Sequence, residues 1–455
     1  MRDTALLVID AHGFGDQKDL PISLGLAIAG AVAALVISFT VLVVAWRSPR
    51  YATGVGEGEG EQATGRPGRP APAWLDRAVG SPYWTVGLRL LGLVGFLFTA
   101  ATAVLGRDQV TNPFFGIVYV WLWVGVVFAS VLLGPVWRAV NPMRTVNLAL
   151  ARLSGGDPDR GITDYPAWLG YWPAALGLYA FVWMELVHRH PTDLGTVRLW
   201  FAVYVAAMLV GGAVFGSKFY ERADPFEVYS TLAGRLSVWA RDDGRLVVRS
   251  PLANLATVPS RPGLVAVVAV LFGSTAFDSF RESASWIRTI QNAEVTGFTL
   301  NNLALLGFCL GAGGLFSLGA VLTGTHPERP RRELPRRLAH SIVPIIAAYI
   351  VAHYLTLFVD AGVQTLARAS DPFGRGWDIL GTASLQPSYW FAYHPTLLAN
   401  IKVLAVVTGH VAAAVAAHDR AIALLPRRHQ ITGQLPLLAA MVAFTAGGLY
   451  LLFNA

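Results

Sequence analysis

The sequence predicts an all-α polytopic integral membrane protein, a helical bundle of about ten transmembrane helices with both termini outside. Three observations carry this. Apolar stretches long enough to cross a bilayer recur ten times along 455 residues. Arginine and lysine gather on alternate connections between them. Composition, 54% hydrophobic and 14% charged with a mean hydropathy of +0.50, lies outside what a soluble chain of this length reaches.

The predicted spans are 24–46, 85–106, 116–137, 167–187, 194–217, 263–279, 299–323, 338–359, 396–417 and 434–453. The connections after spans 1, 3, 5, 7 and 9 hold 24 of the 35 cations, among them Arg47, Arg138, Arg144, Lys218, Arg222, Arg332 and Arg427. Cationic side chains resist translocation, so these loops are expected in the cytoplasm, and an even number of crossings then puts both termini outside. The net charge of +7 is on this reading a topology signal. It excludes a nucleic-acid partner, since the basic residues are spread over separate loops without a recognised binding motif. The expected partner is the lipid bilayer of the cell membrane, whose anionic headgroups suit the inner arginines.

In chain order, residues 1–23 read as an outer N-terminal segment whose short apolar run, Ala5 to Ile9, falls below signal-peptide length. Span 1 follows. Residues 47–84, rich in Gly, Glu and Pro, read as a disordered cytoplasmic linker. Residues 85–455 form the membrane domain with the other nine spans and a cytoplasmic insert at about 218–262. An internal echo marks the returns of spans 3 and 5: Arg138-Ala139-Val140-Asn141-Pro142 precedes a segment ending Arg152-Leu153-Ser154, and Arg222-Ala223-Asp224-Pro225 one ending Arg235-Leu236-Ser237. Asn or Asp before Pro is a helix start, because the side chain accepts free backbone N–H groups and Pro lacks one to satisfy. Two interfacial helices are expected there, and a small hairpin around Asp243-Gly244 beyond the second. The sole cysteine, Cys309 in span 7, excludes an intramolecular disulfide and a cysteine-based metal cluster.

Ionisable residues at membrane depth are the functional pointers, because each costs on the order of 3 kcal/mol at a helix centre unless partnered. His353 is expected two turns below the outer surface, with Asp360 on the same face at the rim. Lys402 on span 9 lies about as deep. Glu185 ends span 4, with His188 one turn on, and Asp278 leaves span 6 on that side. With His12, Asp371, Arg375 and His394 from outer segments, these residues predict a polar vestibule facing outward. A hydrolase would hold a divalent metal, Zn, Mn or Fe, through His353 with Glu185, Asp278 or Asp360, and His12 is a further candidate ligand. Lys402 or Arg375 would meet developing charge, and Asp371, Arg375 and His394 would line a small apolar substrate. A transporter would use the same groups as a proton or cation relay, with His410 the nearest partner in the inner half. No His-Glu-x-x-His spacing separates the two.

The stretches His12–Asp16, Val214–Ser237, Leu271–Phe280, Ala339–Gly362, Ser370–Asp378 and Gly409–Ala421 resemble a family of multi-pass, mostly actinobacterial proteins identified as fenitrothion hydrolases. The resemblance runs over nearly all ten spans and breaks at the linker after the first. It implies hydrolysis of an organophosphorus triester, and it brings no catalytic residues with it.

The sidedness is testable by cysteine labelling of intact cells in a Cys309→Ala background. Positions near Arg144, Arg241 and Arg332 are expected to be protected and positions near Asp193 and Asp371 to label; the reverse pattern overturns the topology.

Overall fold

The computed structural model describes residues 19–51, 66–324, 330–426, 429–430 and 432–454. Its main helices are α1 (Leu24–Ala45), α2 (Pro82–Leu105), α3 (Pro113–Leu133), α4 (Pro142–Leu153), α5 (Trp172–Leu186), α6 (Leu194–Phe215) and α7 (Pro225–Gly234). They continue with α8 (Leu264–Arg281), α9 (Ala284–Asn292), α10 (Gly297–Val321), α11 (Val343–Ala369), α12 (Pro395–Leu424) and α13 (Leu435–Asn454). Among the described residues nine helices, all but α4, α5, α7 and α9, are long and apolar enough to cross a membrane. Their exposed faces carry leucine and valine, such as Leu91, Leu199, Val203 and Leu310, as lipid contact requires.

Most spans begin at a side-chain cap. Ser23, Ser81, Asp193 and Thr296 each accept a backbone N–H from three residues on, while Asn112 accepts that of Phe114. Within α3 the ten residues Gly116–Gly125 are wound as a π-helix, a wide winding frequent at functional sites. Both ends of that stretch are glycines facing α11, and a Cβ would meet Thr365 Oγ1 at 2.0 Å from Gly116 and Phe358 at 3.0 Å from Gly125.

The ends of the bundle differ. At one, the connections rich in arginine bind each other: Asp419 accepts the backbone N–H of Arg50 (2.6 Å) and Tyr51 (3.2 Å), His418 joins Trp46 O to Gln434, and Arg420 donates to Ala256 O. At the other, Leu194 N donates to Asp108 and Tyr119 to Pro191 O. The fourth predicted span is the 15-residue α5, short against the roughly 20 residues a crossing needs. It nevertheless runs beside α8 from end to end, starting where Tyr171 N donates to Pro262 O and stopping where Leu186 O accepts from Arg281.

Residues 47–84 depart from the expected disordered linker. From Arg66 the chain is ordered: β1 (Arg69–Pro70) pairs with β3 (Arg245–Val248), which pairs with β2 (Trp239–Asp242), all antiparallel. Gly68 N donates to Asp242, Leu246 N to Asp76, and Ala73–Gly80 is a helix. Composition misled here because the partner strand lies some 170 residues away. The Gly- and Glu-rich part, 52–65, lies outside the described residues. The expected hairpin is present, with Asp243 (φ 48°) and Gly244 (φ 80°) both left-handed, as a tight two-residue turn demands.

The internal echo meets itself in space. Asn141 caps α4 by accepting from Met143 N and Arg144 N, and Asp224 caps α7 by accepting from Phe226 N. Asn141 Nδ2 then donates to Asp224 Oδ2 at 2.8 Å and to Glu227, so both helix starts converge on two buried carboxylates. Trp137 and Tyr204 also donate to Asp224, and Arg144 holds Glu227 through two contacts of 2.6 Å.

Burial and the adjacent Glu227 raise the Asp224 carboxyl to about 6, against an ordinary value of about 3.9. The folded chain therefore keeps a proton that the unfolded chain releases, so this contribution to stability is full below about pH 4 and lost as pH rises through about 6. Melting curves in detergent between these limits are expected to fall more steeply for the wild type than for Asp224→Asn. Parallel curves would show that Asp224 does not titrate in this range.

Candidate functional site

Three helices gather the polar residues of the opposite end. The last turn of α8 supplies Asp278, Ser279 and Arg281, one face of α11 supplies Tyr349, His353 and Tyr354, and the end of α5 supplies Glu185. Gly273 lets α8 lie flat on α10, since a Cβ there would meet Cys309 Cα at 2.5 Å.

Asp278, fully buried, is the hub. Its Oδ2 accepts from Tyr354 O–H at 2.7 Å and lies 3.1 Å from His353 Nε2, while its Oδ1 accepts from Arg281 Nε at 2.9 Å. A carboxylate paired with a guanidinium only accepts, which places the His353 proton on Nε2 and leaves Nδ1 as an acceptor. Ser279 Oγ lies 3.2 Å from that Nδ1, and the Tyr349 hydroxyl lies 2.8 Å from Ser279 Oγ. Every hydroxyl and imidazole proton in the line can thus point toward Asp278. Arg281 also donates to Leu186 O, so the same cation that balances Asp278 fastens α5 to α8.

The residues singled out in the sequence separate on folding. His353 and Asp278 are in contact, and Glu185 lies within reach of the charges of Asp278 and Arg281, its Oε2 buried without a hydrogen-bond partner. Lys402 is buried at about the level of His353, since Gly409, two turns on along α12, packs against Ala348 of α11. Its ammonium is placed near the charges of Asp19 and Glu282. Asp360 is not in this group: about two turns beyond His353 it accepts from Tyr389 N and anchors the loop before α12. His188 does not share a face with Glu185, since α5 ends at Leu186, and it packs on Trp183 instead.

Asp371 accepts from Arg375 N and Gly376 N, forming the turn of the loop, and Arg375 spreads over the rings of Phe373 and Trp377. His394 is exposed and stacks on Trp390. These three shape the loop between α11 and α12. His12 lies outside the described residues. Deeper in the bundle His410 is buried, its Nδ1 on Val406 O at 2.8 Å and its Nε2 without a hydrogen-bond partner. Arg281, Tyr354, Ser279 and Tyr349 were not anticipated. The Asp278 to Arg281 spacing of three residues on a helix was the available signal.

Among the described residues no group of three or more His, Cys, Asp or Glu side chains is placed to hold a metal ion. Both Asp278 oxygens face hydrogen-bond donors and Asp360 is engaged elsewhere, so these residues do not fit the expected ligand set.

The hub predicts an order of stabilities. Asp278→Ala leaves Arg281 uncompensated and is expected to cost about 3–5 kcal/mol. Tyr354→Phe removes a single donor to a charged group and should cost about 1.5–3 kcal/mol. Thermal or denaturant unfolding in detergent measures both, and the opposite order would remove Asp278 from the centre of the network. Comparison with protein-family models, curated proteins and solved structures finds no match.

Proposed function

We propose that the protein is a proton- or cation-coupled membrane transporter with ten crossings, α5 being the tenth, and with both termini and the Asp278 network on the outer side. The observation that supports this is the unbroken buried line Tyr354, Asp278, His353, Ser279, Tyr349, in which neighbouring polar atoms lie 2.7 to 3.2 Å apart. Such a line can carry a proton through apolar surroundings: His353 accepts at Nδ1 and releases at Nε2, and the hydroxyls of Ser279 and Tyr349 reorient behind it. Arg281 occupies Asp278 Oδ1, which leaves Oδ2 as the acceptor at the end of the line. Lys402, buried on α12 near the charges of Asp19 and Glu282, is a second ionisable group close to the line. His410, with a free acceptor nitrogen deeper on α12, is the next station inward.

A second reading, hydrolysis of an apolar organophosphorus triester, is favoured by a crevice of about 660 Å³ between α8, α10 and α13. Phe272, Phe280, Trp286 and Phe308 line it, and Tyr349, whose hydroxyl meets Ser279, stands at its edge. An uncharged substrate would enter from lipid, with the His353–Asp278 pair taking a proton from the attacking water.

Reconstitution in liposomes separates the readings. Transport is supported if an imposed pH gradient drives proton flux that falls at least tenfold in both His353→Ala and Asp278→Asn while the variants remain folded. Flux unaffected by either change, together with turnover of a lipid-soluble chromogenic phosphotriester that both abolish, puts hydrolysis in its place.

A further inference from the structure

The arginine-rich end holds a second polar cavity, unconnected to the Asp278 network. It encloses about 60 Å³ between the start of α5, the end of α7 and the approach to α8, room for a group the size of phosphate. Its polar lining is Arg138, Arg235, Arg261, Glu221, Tyr171 and Thr231. Three guanidinium groups therefore face one carboxylate. Arg261 uses Nη1 on Glu221 (3.2 Å) and the Tyr171 hydroxyl (3.3 Å), whereas Arg235 donates to the Thr257 hydroxyl and has no acidic partner within ion-pair distance among the described residues. Arg138 is exposed and likewise unpaired among them.

Two further guanidinium groups lie outside the lining but act on it by charge, Arg222 on Glu221 and Arg249 on Arg235, and Arg249 pairs with Asp242 through its Nη2. Burial, then the charges of nearby Arg138 and Arg249, pull the Arg235 guanidinium below its ordinary range. Burial resists ionisation of Glu221, but Arg261 and Arg138 outweigh it and hold that carboxyl low. The walls are fixed by close backbone approach: Gly170 leaves no room for a Cβ against Pro262 O at 2.3 Å, and Gly263 takes a left-handed φ of 81° against Trp172.

We propose that this cavity binds a phosphate group, carried either by an anionic phospholipid headgroup at the membrane surface or by free inorganic phosphate. Guanidinium groups match phosphate oxygens in geometry and charge, and the excess of two cations over carboxylates suits a mono- or dianion. The tyrosine and threonine hydroxyls complete the donor set. The site is independent of the transport reading, since it uses none of the residues of the Asp278 network.

The test uses full-length protein in neutral detergent, stripped of lipid. Its melting temperature is followed during titration with inorganic phosphate and, separately, with micelles carrying phosphatidylglycerol or phosphatidylcholine. A saturable rise with phosphate assigns a free-phosphate site. A rise with phosphatidylglycerol at concentrations where phosphate and phosphatidylcholine are inert assigns a headgroup site. In either case Arg138→Gln should weaken the apparent affinity at least tenfold while its ligand-free melting temperature stays at the wild-type value, because Arg138 is exposed. Glu221→Gln, which removes the competing carboxylate, should tighten binding. The proposal is overturned if neither phosphate nor phosphatidylglycerol gives saturable stabilisation, or if Arg138→Gln responds as the wild type does.

Discussion

A carboxylate removed from water must be balanced by its neighbours, and at Asp278 that requirement sets the arrangement of three helices. Two oxygens with four strong acceptor directions meet a guanidinium, an imidazole and a phenol. Arg281 comes from the same helix, so it sets no register. His353 and Tyr354 come from α11 and do: sliding α11 by one residue would turn both away and leave Oδ2 buried without a donor. The second contact of Arg281, to Leu186 O, extends the constraint to α5, and Glu185 is brought beside the pair as a consequence.

The arginine-rich end solves the same problem differently. There the charges of Asp224 and Glu227 meet two helix starts, an asparagine and Arg144, and the helices are short. Helix starts present free N–H groups, so buried carboxylates are well placed against them. Between these two polar layers the bundle is aromatic and aliphatic, with Trp123, Phe181, Tyr229 and Phe226 in ring contact along α3, α5 and α7. The π-helical turn of α3 falls in this layer and brings it against α11, the helix that carries His353.

Much of this was legible in the sequence, for identifiable reasons. Hydropathy over about 20 residues located, among the described residues, nine helices long and apolar enough to cross, because the bilayer imposes a length that no distant residue alters. Asn141-Pro142 and Asp224-Pro225 marked helix starts because capping is local, and Asp243-Gly244 marked a hairpin because only its own φ angles matter. What was not legible is rotational and long-range. His353 and Asp278 were recognised as costly, but nothing local says that α11 turns His353 toward α8 or that α12 turns Lys402 toward Asp19 and Glu282. Asp360 shared the helical face of His353 and was grouped with it, yet a rise of about 10 Å along α11 carries it to the loop at Tyr389. Arg69 and Pro70 read as linker because their partners on β3 are far along the chain.

The central claim is that the buried line ending on Asp278 takes up and releases protons as a unit. Infrared difference spectroscopy of the protein after a pH jump, with isotope-labelled histidine to assign the imidazole bands, measures this directly. The account predicts coupled changes in carboxyl and imidazole bands, both lost in Asp278→Asn. An Asp278-dependent signal without any imidazole change, or no change in either band across the pH range in which the protein stays folded, would contradict it.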